Sequence, residues 1–313
     1  VSKRFKRIHI EISNVCNLQC NFCPEVLRQK TVMQEPLFRK IVAQAAPLAD
    51  ELSLHLMGEP LGHPNLSAFI DICAGSNAPV NLTTNGTLLD AARTEVLLHR
   101  TVRQVNFSLH SFEANFGERD VTGYLRKIFA FTHAAFERRP DLYINFRLWD
   151  LTSPNELSPT NAKMRAAISD EFKFSFDDLN IDLRRRKSFR ILNRLYLHFD
   201  SRFEWPSPDA PIRSSSGTCH ALSSHFGIHA DGTVVACCLD KEANLALGNA
   251  ETQSLEAILM SPRAQSIVMG FANNQCVEAL CQRCDYIKRF DQKKPRARSE
   301  AQFAHALNSL SQP

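Results

Sequence analysis

Apolar positions alternate with polar ones at two different periods along the first half of the chain. Ile8, Ile10 and Ile12 recur every second residue, which puts them on one face of a pleated strand. From Glu35-Pro36 onward, Leu37, Ile41, Val42 and Ala45 recur at helical spacing, with Pro36 suited to a first turn. By the same reasoning residues 51–57 are predicted as a buried strand, 65–74 as helix, 79–84 as extended and 89–98 as helix. Residues 102–109 are then strand, 121–137 a long helix and 142–151 strand. Repeating strand–helix units predict a parallel sheet with helices outside, open or curled into a barrel, with chemistry at the C-terminal strand ends.

The pattern changes past the breaker-rich stretch Trp205-Pro206-Ser207-Pro208-Asp209-Ala210-Pro211. Residues 226–230 and 233–237 flank Asp231-Gly232, a favoured two-residue hairpin turn, and 254–260 is helical. Two domains are expected, 1–205 and 206–313.

Composition supports an ordinary globular chain. With 313 residues and 44% hydrophobic content it can bury a sizeable core. No stretch approaches the roughly 18 apolar residues of a spanning helix, and the basic start (Lys3, Arg4, Lys6, Arg7) lacks a signal-peptide core. Neither membrane insertion nor secretion is expected. Ten cysteines are too few for a disulfide scaffold of this length; their short spacings suit metal ligation in a reducing compartment, so cytoplasm is the expected location. A net charge of +4 does not by itself announce a nucleic-acid partner. The local clusters, Arg184-Arg185-Arg186-Lys187 and the tail Lys288, Arg289, Lys293, Lys294, Arg296 and Arg298, read as solvated faces that leave an RNA substrate open.

The predicted strand ends gather chemistry at one mouth. The second strand ends in Gly58-Glu59-Pro60, the third in Asn85-Gly86 and the fourth in Ser108-Leu109-His110, while the fifth carries Arg147 before Trp149 and Asp150. The first strand leads into Cys16, Cys20 and Cys23, spaced Cys-x3-Cys-x2-Cys, so that one loop supplies three thiolates. Three ligands on a four-iron cube leave one iron open to a small molecule, whereas a zinc knuckle would use the same soft donors.

This loop, with Phe22 immediately before the last cysteine, resembles the cluster loop of the radical S-adenosylmethionine (radical SAM) superfamily. The resemblance covers roughly residues 5–290. It implies an α/β fold, a partial (β/α)6 TIM-like barrel followed by a small α+β domain of the SPASM or shortened twitch type. It also implies a [4Fe–4S] cluster on Cys16, Cys20 and Cys23 whose open iron chelates SAM. Met57-Gly58-Glu59-Pro60 looks like the family's Gly-Gly-Glu-like segment, which holds the SAM amino group. Phe22 would stack on adenine, Ser108 would reach the ribose and Arg147 the SAM carboxylate, which guanidinium can grip with two hydrogen bonds.

Further cysteines follow at Cys219, Cys237, Cys238, Cys276, Cys281 and Cys284. Two cysteines bracketing a hairpin and a later Cys-x2-Cys resemble the auxiliary-cluster extensions of the same family. The expected ligands are Cys219, Cys237, Cys281 and Cys284, closing a second [4Fe–4S] cube, although four thiolates would equally close a zinc ribbon. Adjacent strand residues face opposite ways, so Cys238 is expected to point away from the metal held by Cys237. Cys238 and Cys276 are read as inert buried thiols, with Cys276 also able to replace a ligand or act chemically as a thiol, and Cys73 as core.

The resemblance implies reductive cleavage of SAM to a 5′-deoxyadenosyl radical and abstraction of a substrate hydrogen. The outcome would be oxidation or crosslinking of a peptide, protein side chain or small metabolite, with the auxiliary cluster accepting an electron. A reductant such as flavodoxin or ferredoxin is required. The few residues before the first strand leave no room for an N-terminal peptide-binding module, which favours a small molecule or exposed side chain. Candidate proton acceptors are His55, His110, Asp150 and Glu156. Competing readings are an RNA-modifying radical enzyme and a non-catalytic iron–sulfur or zinc protein.

Overall fold

The computed structural model describes residues 5–151, 161–177, 179, 181, 182 and 186–290. A barrel-type sheet starts with β1 (Phe5–Ile10) and continues through β2 (Ala49–Ser53), β3 (Val80–Thr84), β4 (Val102–Ser108) and β5 (Tyr143–Leu151), each parallel to the one before. The intervening helices are α1 (Glu35–Ala45), α2 (Leu66–Gly75), α3 (Ala91–Leu97), α4 (His110–Phe116) and α5 (Thr122–Arg138). Helix α1 buries Ile41, Val42 and Ala45 of the expected stripe, with Phe38 fully buried in place of the half-buried Leu37. Against α2, the Phe38 and Phe69 rings stack at 3.9 Å, closing the outer layer.

After α6 (Ala162–Phe172), β6 (Ser188–Leu192) pairs antiparallel with β7 (Leu195–Ser201), and β7 lies parallel to β5 as the sixth barrel strand. Its alternation, with Leu195, Leu197 and Phe199 fully buried, was as readable as that of the earlier strands. Helix α4 follows β4 with one residue between and was also unanticipated.

Past the breaker-rich stretch the chain returns to the opposite edge of the same sheet. Strand β8 (His225–Ile228) pairs parallel with β1, β9 (Thr233–Val235) folds back on it around the predicted Asp231-Gly232 turn, and β10 (Ala246–Asn249) completes the order β10-β9-β8-β1-β2-β3-β4-β5-β7-β6. Helices α7 (Leu255–Leu259), α8 (Pro262–Ala272) and α9 (Ala279–Gln282) follow, with serine N-caps on α7 and α8. The C-terminal cysteines are thereby brought to β1, beside the first cysteine loop.

Two buried ties lock that loop to the hairpin. Arg28 places one guanidinium nitrogen 2.9 and 3.0 Å from the two oxygens of the fully buried Glu11, which also accepts from the Ala230 backbone. The Glu242 carboxylate accepts from the backbone N–H groups of Leu27 and Arg28. No described helix is long and apolar enough to cross a membrane.

Candidate active site between two cysteine sets

Both cysteine sets open onto one cavity of ≈ 1340 Å³. On one side stand Cys16, Cys20 and Cys23; on the other Cys219, Cys237, Cys238 and Cys284, with His9, His55, Ser108, His110 and Arg147 among the residues between.

The first set is held by nitrogen donors to sulfur. The Leu18 N–H points at Cys16 Sγ (3.4 Å) and Asn115 Nδ2 at Cys20 Sγ (3.0 Å). Hydrogen bonds from Cys23 and then Asn115 pull the Cys20 thiol down to about 7, despite burial. Cys16 and Cys23 are exposed to the cavity. Three soft donors on one open loop, two of them met by N–H groups, fit a site-differentiated iron–sulfur cube, although burial raises Cys16 and the hydrogen bond to Cys20 raises Cys23. Asn115, on α4, escaped the sequence reading; nothing about an asparagine mid-segment signals a sulfur contact.

Gly58 explains how the next segment approaches that loop. Its φ of +75° is open to glycine, and a Cβ there would collide with the carbonyls of Ser13 and Val15. Glu59, 3% exposed, is engaged on both carboxylate oxygens. Oε1 accepts from Leu61 N (2.9 Å) and Thr84 Oγ1 (2.6 Å), and Oε2 from Asn85 N (2.7 Å). Burial raises its pKa while these three donors oppose the rise. The carboxylate thus pins the segments that follow β2 and β3 around the cavity.

Phe22 lies 4.8 Å from the His110 ring, with the Arg202 guanidinium 5.6 Å from its centroid. Ser108 and Arg147 are register partners on β4 and β5. The Arg147 side chain packs over Trp149 at 5.5 Å and makes no ion pair with a described carboxylate; burial, then Arg7, lowers its pKa to about 10.

Histidine tautomers follow from their partners. His110 Nδ1 is 3.0 Å from the Arg147 carbonyl, so Nδ1 carries the proton and Nε2 keeps its lone pair. Burial lowers its pKa to about 4, keeping the ring neutral. His55 is set the other way: its Nδ1 accepts from the Thr83 N–H at 3.1 Å, so Nε2 carries hydrogen. Glu156 and the side chain of Asp150 lie outside the described residues, as do Lys3, Arg4, Arg184, Arg185, Lys293, Lys294, Arg296 and Arg298.

The four expected auxiliary ligands lie near enough to influence one another's ionisation. Burial raises the Cys219 thiol to about 12, with Cys237 and Cys284 as nearby charges, and Cys281 is raised by burial and by Cys237, Cys219, Cys276 and Cys284. Buried, mutually repelling thiols of this kind are relieved by a shared cation, which suits a closed metal site. Cys276 is 3% exposed and Cys73 is fully buried, as expected. Cys238 requires a correction. Strand β9 ends at Val235, so the alternation argument does not reach it, and the ligand atoms of His225, Cys237 and Cys238 lie within 4.8 Å of one another.

Comparison with known proteins agrees with this geometry. The radical SAM superfamily model matches residues 10–145, and the SPASM iron–sulfur cluster-binding domain model matches 219–285. The chain carries a radical SAM domain and a C-terminal SPASM domain, whose cofactors are SAM, a [4Fe–4S] cluster and auxiliary iron–sulfur chemistry. Among curated proteins it is 28% identical over 118 residues to the S-adenosyl-L-methionine-dependent 2-deoxy-scyllo-inosamine dehydrogenase of Niallia circulans, over 36% of this chain and 47% of that protein. It is 31% identical over 91 residues to the PqqA peptide cyclase of Gluconobacter oxydans (strain 621H), over 28% of this chain and 25% of the cyclase. The matched stretches thus span half or less of these relatives. Among solved structures, BtrN in complex with AdoMet and 2-DOIA shares the fold at TM-score 0.57 and 18% identity, covering 91% of this chain and 94% of that one. Streptococcus suis SuiB bound to precursor peptide SuiA does so at TM-score 0.60 and 14% identity, covering 93% and 74%.

Proposed function

We propose that this chain is a radical SAM oxidoreductase that oxidises or crosslinks a peptide, protein side chain or small metabolite held between its two cysteine sets. One observation carries the reading: both sets line a single cavity, with room between them for SAM and a substrate. The bound cofactors supply SAM cleavage, hydrogen abstraction and, at the auxiliary cluster, an electron acceptor. Cys16, Cys20 and Cys23 hold the first cluster, and Cys219, Cys237, Cys281 and Cys284 the second. Backbone groups at Gly58, positioned by Glu59, receive the SAM ammonium group. Phe22 meets adenine, Ser108 the ribose and Arg147 the carboxylate, its guanidinium buried and in no direct ion pair, with nearby Asp200 held by Lys187 and Arg289. His110 Nε2 accepts the substrate proton; its lone pair is open whereas that of His55 is used.

A dehydrogenase and a peptide cyclase among the relatives support net oxidation without choosing the substrate. The reaction draws its electron from a reductant such as flavodoxin or ferredoxin, and ten free cysteines suit the reducing cytoplasm. The test is anaerobic reconstitution with iron and sulfide, then iron counting and dithionite-driven release of 5′-deoxyadenosine. About eight irons and release that vanishes in Cys16→Ala/Cys20→Ala/Cys23→Ala are expected. Cluster-loaded protein that cleaves no SAM would favour a structural or redox-sensing role.

A further inference from the structure

The auxiliary site holds more sulfur than a closed cube needs. Each iron of a fully ligated [4Fe–4S] cluster takes one protein thiolate. Cys219, Cys281 and Cys284 fill three positions, and two thiols, Cys237 and Cys238, stand together where one is required. Resting on the assignment of Cys237 to this cluster, we propose that Cys237 and Cys238 share one iron corner, either thiolate serving as its ligand while His225 receives the sulfur that is released.

The local backbone is suited to such an exchange. Both residues lie past the end of β9, outside the ladder that would force them to opposite faces. The chain around them is fixed: the Asp240 N–H bonds the Cys237 carbonyl at 3.1 Å, the Leu239 N–H points at Cys237 Sγ at 3.4 Å, and the Asp240 carboxylate caps the N–H groups of Asn244 and Leu245. Glu242 then ties the turn to the first cysteine loop. With the backbone held, exchange needs side-chain rotation alone, and a cysteine has a single torsion to turn.

His225 supplies the third atom of the arrangement. It hydrogen-bonds Cys237, and its own ring lies 6.1 Å from that of His9 across the cavity wall. Cys238 faces the same cavity, near Arg7 and Tyr286, whereas Cys276 is buried beside Gly217. Whichever thiol is not on iron therefore stays at the wall between the two clusters. The exchange balances without an oxidant or reductant. One Fe–S(Cys) bond breaks as another forms, and the proton leaving the incoming thiol passes to the outgoing thiolate.

The test compares reconstituted wild-type protein with Cys237→Ala, Cys238→Ala, the double variant and Cys219→Ala. Its readouts are iron per chain and the electron paramagnetic resonance spectrum of the reduced auxiliary cluster. Cys237→Ala is expected to keep about eight irons with a changed auxiliary spectrum, and Cys237→Ala/Cys238→Ala to fall to about four, as Cys219→Ala does. Unchanged far-UV circular dichroism and gel-filtration elution in each variant report that the chain has folded. The inference is overturned, and the parent reading kept, if Cys237→Ala alone drops to about four irons, or if the double variant keeps all eight. Wild-type protein with about four irons would overturn the auxiliary-cluster assignment itself, and this inference with it.

Discussion

The two cysteine sets face one cavity but are built on opposite plans. Cys16, Cys20 and Cys23 come from a single loop, two of them exposed, with N–H groups from Leu18 and Asn115 directed at the sulfurs. Cys219, Cys237, Cys281 and Cys284 come from three separated segments and are more enclosed; burial and neighbouring charge raise Cys219, Cys281 and Cys284, and a hydrogen bond with Cys238, then burial, raises Cys237. A local loop can leave an iron open, whereas a set gathered by the fold closes around its metal. In the proposed function, the first plan serves chemistry on a bound molecule and the second serves electron transfer.

The largest expected effect separates the two directly. Cys20→Ala should abolish 5′-deoxyadenosine release and remove about four irons, while Cys219→Ala should remove a similar number yet leave SAM cleavage measurable. Equal loss of cleavage in both would mean that the second set supports the first structurally, and the comparison would fail. Iron analysis with product chromatography reads both outcomes.

The next effect concerns what joins the two regions. Glu11 is fully buried and Arg28 nearly so, and burial raises the Glu11 pKa even against its guanidinium partner. Desolvation therefore outweighs attraction within this pair, and each charge depends on the other. Arg28→Met should cost ~3–5 kcal/mol by stranding the carboxylate, and adding Glu11→Gln should recover most of that loss. Chemical denaturation of the four forms measures it; an additive result would show that the two groups do not act as a pair.

Legibility in the sequence followed the same division. The triplet, the Gly58-Glu59 segment, five strands and the Asp231-Gly232 hairpin were readable because each is a local signal. Pairing of β8 with β1 was not, since parallel strands carry no mark of a partner more than two hundred positions away. Asn115 and Arg28 escaped for a similar reason: their roles arise from contacts to Cys20 and Glu11 that only the fold creates. Cys238 was misread because strand alternation was extended past the end of β9. Glu59 stood out beside Gly58 as a cofactor contact, and its carboxylate proves to be occupied by Leu61, Thr84 and Asn85.

A smaller effect is expected at the seam below the first set. Gly58→Ala should cost about 1–2 kcal/mol for the left-handed backbone, with more added by collision with the Ser13 and Val15 carbonyls. The displaced loop should lower iron retention at the first cluster and spare the second. Loss of both clusters together would show that the two regions are less independent than their construction suggests.

A pH-dependent effect probes the enclosed region alone. His229 is fully buried, its Nε2 lies 2.9 Å from the Asp240 carbonyl and so carries the proton, and Nδ1 has no hydrogen-bond partner. Protonation would place a charge on that buried nitrogen, and burial accordingly lowers the pKa from 6.5 to about 4. Because the folded value lies below the unfolded one, the associated stability is complete above pH 6.5 and is lost as the pH falls toward 4, to a maximum of ~3 kcal/mol. His229→Gln can keep a donor to the Asp240 carbonyl but cannot titrate, so its melting temperature should fall less than the wild type's between pH 7 and pH 5. Parallel decline of the two proteins would show that water reaches Nδ1 and that the second region is as open as the first.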